Sequence, residues 1–364
     1  MNGEDYAIYW CHMTKMKIAI NGFGRIGRAF LRVAHTRPEL EVVAINDLGS
    51  VENLAYLLKY DSVYGRAPFE VSGRQNTDGV GGAIMVDGRE IVVFAQKDPA
   101  LLPWKDMGID IVVEATGLFA SYEKSQVHIA AGAKRVVITA PVKDEPPEGV
   151  MGATVLVGIN DEKFATCNIT SNASCTTNAA SPVMQILHEA LGIEKAILST
   201  THAYTASQSI VDGPAKRPKG PDDYRDGRAG AHNIVPSFTG AATAVAKAIP
   251  ELTGKFDGIS LRVPVIAGSI ADMTFVARRD TSAEEVNSIL KAAAAQDRWK
   301  PVFRATDEPL VSSDIIGSVH ASIADLSMTR VVGGNLVKVL AWYDNEMGYT
   351  HALVEHVARL AAHI

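Results

Sequence analysis

The sequence predicts two units in one chain: a doubly wound α/β domain on a parallel sheet, then an α+β domain on a mixed or antiparallel sheet. Three observations carry this. A short apolar strand at 17–20 runs into a glycine-rich turn and then a helical pattern. Strand-like and helical stretches alternate after it, as in a parallel sheet covered on both faces. In the second half strands recur at 258–263, 270–276 and 335–341, and that alternation is lost.

In chain order, residues 1–15 carry no signal-peptide pattern and read as a disordered extension. The strand at 17–20 leads into Asn-Gly-Phe-Gly-Arg-Ile-Gly-Arg, with glycines at Gly22, Gly24 and Gly27. In that setting the first glycine allows the tight turn and the second lets backbone approach a pyrophosphate. The third permits close helix–strand packing. This is the fingerprint of a Rossmann dinucleotide-binding domain. A helical pattern follows through Phe30, Leu31 and Val33, and a strand at 42–45 ends at Asn46-Asp47. Asp47 lies about twenty residues past the last glycine, where an acid accepts hydrogen bonds from an adenosine ribose. A carboxylate there repels a ribose phosphate and favours NAD over NADP, although Gly49 and Ser50 leave room beside it. Gly79, Gly81 and Gly82 read as hairpin turn residues between a helix at Leu54–Leu58 and a strand at 91–94. Strands at 109–113 and 135–139 end near Thr116 and Thr139, which makes both threonines candidate cofactor contacts.

Residues 171–178, Ser-Asn-Ala-Ser-Cys-Thr-Thr-Asn, precede an apolar run with helical spacing. That places Cys175 at or near a helix N-terminus, where free N–H groups and the macrodipole favour a thiolate nucleophile. The alternative is a small buried hydrophobe, the commoner state of an unpaired cysteine. A strand at 195–199 then ends ahead of Thr-Thr-His-Ala-Tyr-Thr. Residues 212–228, rich in glycine, proline and charge, read as a long exposed loop. A helix is expected at 283–294. The last helix, through Ala352, Val354 and Leu360, is expected to dock on the first domain.

Composition narrows the function classes. The 364 residues carry a net charge of −6, which gives no reason to expect a nucleic-acid partner. No apolar run reaches the length of a membrane span. Three cysteines, Cys11, Cys167 and Cys175, argue for a reducing, cytoplasmic setting rather than a disulfide framework. No metal site is expected.

With the glycine turn, the cysteine stretch and Trp-Tyr-Asp-Asn-Glu-Met-Gly-Tyr at 342–349 in order, the chain resembles the glyceraldehyde-3-phosphate dehydrogenase family. The resemblance runs from Met16 to the end. It implies an NAD-binding domain at 16–174, a catalytic domain at 175–341, a C-terminal helix at 342–364 packing back on the first domain, and a homotetramer. It implies oxidative phosphorylation of glyceraldehyde 3-phosphate, with inorganic phosphate, through a cysteine thiohemiacetal and thioester. Cys175 would attack the aldehyde, and His202 matches the catalytic base. Arg25 and Ile26 match pyrophosphate contacts, and Lys97 and Thr139 match further cofactor contacts. Asn345 matches the amide that orients the nicotinamide. Ser174, Thr176, Thr205, Thr239, Gly240 and Arg262 match the phosphate-binding set, where hydroxyls, N–H groups and a guanidinium suit anions. By itself Arg262, inside an apolar strand, has a structural ion-pair partner as its alternative reading. Alternatives within reach of the same motifs are an erythrose-4-phosphate dehydrogenase and a non-enzymatic dinucleotide- or RNA-binding protein.

The chain departs from the family pattern at three places. Ala179 stands where many members have a second cysteine, so an oxidised Cys175 has no resolving neighbour there. The segment 215–221 is about five residues longer than usual. Asp226 falls where some members have a phosphate-contacting arginine, and Arg225 and Arg228 flank it. Pro214 agrees with the NAD-preferring form.

Overall fold

In the computed structural model, which describes residues 15–77, 79–215 and 224–364, the strands form two large sheets. The expected extension therefore lies, except for Lys15, outside the described residues. β1 (Met16–Asn21) is buried over its last four residues, as suits an apolar strand covered on both faces. α1 (Arg25–Ala34) turns Phe30, Leu31 and Val33 into the core. β2 (Leu40–Asn46) pairs parallel with β1. α2 (Val51–Lys59) starts at Ser50, whose hydroxyl accepts the Asn53 N–H at 3.4 Å. The glycine-rich excursion forms a hairpin of β3 (Val71–Gln75) and β4 (Gly82–Val86), continued antiparallel by β5 (Arg89–Phe94). β6 (Ile111–Glu114), α3 (Tyr122–Ala130), β7 (Arg135–Ile138), β8 (Gly152–Thr154) and β9 (Ile169–Ser171) follow.

The first sheet has the order β8-β9-β7-β6-β1-β2-β5-β4-β3 and is parallel except for its hairpin edge. β1 sits between β2 and β6, so the chain winds away to either side of it. That reversal opens a crevice beyond the carboxyl ends of the strands, where the glycine turn lies.

The second sheet is built on α4 (Cys175–Leu191), β10 (Ile193–Ala203), β11 (Val235–Phe238), α5 (Ala241–Ala248), β12 (Phe256–Val263) and β13 (Ser269–Ala277). It continues with α6 (Ala283–Ala294), β14 (Phe303–Thr306), β15 (Ser322–Val332) and β16 (Leu336–Tyr343). Its order, β11-β12-β10-β13-β16-β15-β14, mixes parallel and antiparallel neighbours. α7 (Met347–Ala361) packs against α1, and Arg37 pairs with Glu355 at 3.2 Å.

Four expectations are corrected here. β10 does not stop at 199 but runs through Ala203, held by β12 on one side and β13 on the other, so His202 is a strand residue. β16 continues to Tyr343, so a boundary at 341/342 would cut a strand. β11, β14 and β15 were not expected. β15 carries Asp325 and Ser327 inside it, and that polarity is absorbed by the Trp342 indole N–H on Asp325 at 3.0 Å and by the Ser327 hydroxyl at 2.7 Å. The stretch 212–228 is not exposed throughout: Asp226 and Gly227 are buried, while 216–223 lie outside the described residues.

One buried base ties stability to pH. His356 on α7 is fully buried, edge-on to Phe164, with Nε2 2.7 Å from the Thr170 hydroxyl. Burial, aided by the nearby Arg359 guanidinium, pushes its pKa down to about 3. The unfolded chain therefore binds a proton that the folded chain does not between roughly pH 6.5 and that value. Stability from this group is complete above the unfolded pKa and falls by about 1.4 kcal/mol per unit as pH drops through the window. Denaturant midpoints measured from pH 7 to pH 4 should show this slope, and His356→Gln should flatten it; equal slopes in both proteins would reject the assignment.

Candidate active site

The turn after β1 divides the work among three glycines. Gly22 has φ +95°, and a Cβ there would meet the Thr116 nitrogen at 2.7 Å. A Cβ on Gly27 would sit 2.2 Å from the Gly22 oxygen, so the glycine is required for α1 to pack this close. A Cβ on Gly24 would meet nothing within 4 Å and would point into open space. Gly24 is the N-cap of α1 and has no side chain to cap it, and helix geometry leaves the N–H groups of Arg25, Ile26 and Gly27 without helical partners. An uncapped helix start with open space before it fits a pyrophosphate.

On one side of this turn a cleft of about 320 Å³ is lined by Gly22, Gly24, Asp47, Lys97 and Thr116. Asp47 accepts the Phe23 N–H at 2.8 Å and the Gly49 N–H at 2.9 Å. A carboxylate has about four acceptor positions, so two remain for ribose hydroxyls. Beneath the cleft the buried Glu114 carboxylate accepts from Asn21 at 2.6 Å, His128 Nε2 at 3.1 Å, and both the N–H and the hydroxyl of Thr116. The Thr116 hydroxyl also accepts the Leu118 N–H at 3.0 Å, so Thr116 shapes the wall through local bonds. Asp47→Asn should narrow the preference for NAD over NADP about tenfold, the size of one partly screened like-charge repulsion near 4 Å. Affinity ratios measured by calorimetry check this, and an unchanged ratio would place Asp47 away from the ribose.

On the other side a cleft of about 330 Å³ collects Arg25, Ile26, Thr139, Ser174, Cys175, His202, Thr205, Arg262 and Asn345. Cys175 is the first residue of α4. Ser174 caps that helix, its hydroxyl accepting the Thr177 N–H at 3.1 Å. The residue before the cap, Ala173, is held at φ +53°, a left-handed conformation that costs an alanine about 1–2 kcal/mol. Its N–H donates to the Ser171 hydroxyl at 3.0 Å, and its carbonyl accepts the Tyr349 hydroxyl at 3.3 Å. These bonds fix the entry into α4 and so the direction of the thiol.

Cys175 Sγ lies 3.3 Å from His202 Nε2. The helix start alone does not make a thiolate here. Burial pushes the Cys175 thiol up, against the pull of Arg262, the Thr176 hydroxyl and the Thr176 and Cys175 N–H groups. The ring of His202 packs edge-on to Tyr343 at 5.9 Å. Its Nδ1 is 2.7 Å from the Ala203 carbonyl and 2.6 Å from the Arg262 guanidinium. The carbonyl favours a proton on Nδ1 and the guanidinium favours one on Nε2. Taking a proton from Cys175 requires the first arrangement, with the Nε2 lone pair toward sulfur. Arg262 reaches His202 because the two residues are register partners on β12 and β10.

The phosphate-binding set divides. Ser174, Thr205 and Arg262 line this cleft, and the Thr205 hydroxyl is 3.0 Å from that of Ser207. Thr176 is buried, and its hydroxyl meets the Tyr343 hydroxyl at 2.8 Å; one step of about 100° around α4 turns it from the cleft into the core. Thr239 and Gly240 stand at the start of α5, where the Thr239 hydroxyl accepts the Ala241 N–H at 3.2 Å, and neither lines the cleft. The Arg25 guanidinium is bound by Asp61 at 2.5 Å and by Glu346, so only its backbone N–H faces the turn's anion site. Asp226 is buried; Arg225 stacks over Phe238 at 5.6 Å and Arg228 pairs with Asp212 at 2.8 Å. Ala179, one turn beyond Cys175, is buried in the core. The lengthened segment lies, except for Ala215, outside the described residues.

Sequence reasoning missed Tyr343, Tyr349, Ala173, Glu346 and Ser269. Tyr343, Glu346 and Tyr349 lie in the quoted motif at 342–349, which was the available signal. Ala173 lies in the quoted stretch at 171–178, and nothing in the sequence marks Ser269. Among the described residues no group of three or more His, Cys, Asp or Glu is placed to hold a metal ion.

Two family models match parts of the chain. A family model described as the NAD binding domain of glyceraldehyde 3-phosphate dehydrogenase matches residues 16–122, and one for its C-terminal domain matches residues 174–345. The glyceraldehyde-3-phosphate dehydrogenase of Zymomonas mobilis is 46% identical over 349 residues, covering 95% of this chain and 98% of its own length. That of Thermotoga maritima is 47% identical over 342 residues, 93% of this chain and 97% of its own. That of Geobacillus stearothermophilus is 44% identical over 349 residues, 95% and 98% respectively.

Proposed function

Because this chain belongs to the glyceraldehyde-3-phosphate dehydrogenase family, we propose that Cys175 and His202 carry out the family's chemistry in the cleft beside the glycine turn. The chain is an NAD-dependent enzyme that oxidises glyceraldehyde 3-phosphate, with phosphate as its second substrate. The observation that carries the residue assignment is the 3.3 Å approach of Cys175 Sγ to His202 Nε2 at the start of a capped helix.

The steps follow from the groups present. His202 Nε2 takes the Cys175 proton, and the sulfur attacks the aldehyde carbon. The protonated imidazole then donates to the oxygen of the thiohemiacetal as it forms, and takes that proton back as the carbon is oxidised. NAD, when bound, supplies the hydride acceptor. Gly24, Arg25 and Ile26 would hold its pyrophosphate through backbone, Asp47 its adenosine ribose, and Asn345 its carboxamide; Lys97, Thr116 and Thr139 complete the walls. Arg262, Ser174 and Thr205 would bind phosphate oxygens where a guanidinium and hydroxyls converge near the sulfur. The thioester left on Cys175 keeps the oxidation energy, and phosphate attack on its carbonyl gives the acyl phosphate and returns the thiolate.

The test is the initial rate of NADH formation from glyceraldehyde 3-phosphate, with and without inorganic phosphate, and with NADP in place of NAD. A phosphate-dependent rate with NAD is expected. A rate indifferent to phosphate would overturn the phosphorolysis step.

We also infer a homotetramer in a reducing, cytoplasmic setting. Supporting assembly, Ile197, Ile259 and Phe238 are 60%, 52% and 60% exposed on one face of the second sheet, where Phe238 and Ile259 are register partners. An apolar sheet face of this kind suits a second copy of the chain. Light scattering should give four times the 38.9 kDa chain mass. Supporting the setting, the mechanism needs Cys175 as a free thiol, and no helix among the described residues is long and apolar enough to cross a membrane.

A further inference from the structure

Asn345 and His202 come from different strands' ends, yet one residue, Ala203, reaches both. The Ala203 carbonyl lies 2.7 Å from His202 Nδ1, and the Ala203 N–H donates to the Ser269 hydroxyl at 3.1 Å. The Ser269 oxygen is in turn 3.1 Å from Asn345 Oδ1. Ser269 and Asn345 are 1% and 6% exposed, so neither has water to turn to freely.

A hydroxyl has one proton. With a lone pair of Ser269 already taken by the Ala203 N–H, its proton is directed to Asn345, and only an oxygen can receive it. The structure sets Oδ1 toward Ser269, where it accepts that proton, and the NH₂ group is the part of Asn345 left for the cleft. The opposite orientation would take Asn345 away as the acceptor of this buried proton.

We propose that Ser269 is a positioning residue for the nicotinamide. It fixes Asn345 as a donor toward the carboxamide oxygen and ties that donor to Ala203, the residue whose carbonyl lies against the His202 ring. This rests on the assignment of Asn345 to the nicotinamide end. Register adds to the argument. Ser269 opens β13 opposite Tyr343, the last residue of β16, so the hydroxyl stands two residues before Asn345 in that chain direction. Ala203 closes β10 beside it. Ser269, which does not itself line the cleft, thus sets which atom of Asn345 faces it.

The test compares NAD with ADP-ribose, which lacks the nicotinamide, by calorimetry on the full-length protein. Ser269→Ala should weaken NAD relative to ADP-ribose about fivefold, the effect of one misdirected hydrogen bond. ADP-ribose affinity should stay within about twofold of its starting value, which a general loosening of the site would not allow. Ser269→Thr keeps the hydroxyl and should restore the ratio. Should Ser269→Ala not accumulate as folded protein, Ser269→Cys, nearly isosteric and a weak donor, takes its place with the same expected shift. An unchanged ratio, or equal losses for both ligands, overturns the proposal. Asn345→Ala separates the two readings. If it shifts the ratio while Ser269→Ala does not, only the Ser269 role fails. If it leaves the ratio unchanged, the placement of Asn345 at the nicotinamide fails as well.

Discussion

Cys175→Ser should lower the phosphate-dependent rate of NADH formation by at least about 10⁴-fold, the scale of losing a covalent nucleophile. A hydroxyl is a far weaker acid than a thiol, and burial already pushes the thiol up at this position. The oxygen ester that a serine would form also holds less of the oxidation energy for phosphate to capture. NAD affinity should change little, because the glycine turn, Asp47 and Asn345 are untouched. Single-turnover measurement with calorimetric NAD binding reads both effects. Activity near that of the unaltered enzyme would sink the assignment of Cys175.

His202→Gln should lower kcat by about 10²–10⁴-fold, the usual contribution of a positioned general base. It has a second consequence, which does not depend on turnover. Because burial raises the thiol and Arg262 and Thr176 offset this only in part, removing the proton acceptor 3.3 Å away should leave Cys175 protonated to higher pH. The pH profile of Cys175 alkylation by iodoacetamide should therefore move upward in the variant. A lowered kcat with an unmoved alkylation profile would confine His202 to the steps after thiolate attack.

These expectations show which parts of the site were legible beforehand. The dinucleotide half was readable in detail, because a tight turn, a close helix approach and a bare helix start are local demands. Gly22, Gly27 and Gly24 meet them one each. Cys175 was readable for the same reason: Ser174 caps the helix it begins. His202 was placed after its strand, since a strand's end depends on neighbours. Thr200–Ala203 stay extended because β12 supplies partners as far as Ala203 and β13 as far as Thr201. The resemblance groups Thr176 with the phosphate ligands, and the helix turns its hydroxyl to Tyr343 instead.

The sequence by itself determined the order of the units, the dinucleotide turn and the place of Cys175 at a helix start. Each of these is written in contiguous residues whose backbone geometry is set by their own side chains. Only the tertiary structure decided the burial of the thiol, the approach of Arg262 to His202 Nδ1 and the contact of Asn345 with Ser269. Those depend on desolvation and on hydrogen-bond partners 60 to 76 residues apart in the chain. Such partners meet only when the second sheet brings β10, β12, β13 and β16 together, and the energy of a buried polar group is fixed by whom it meets there.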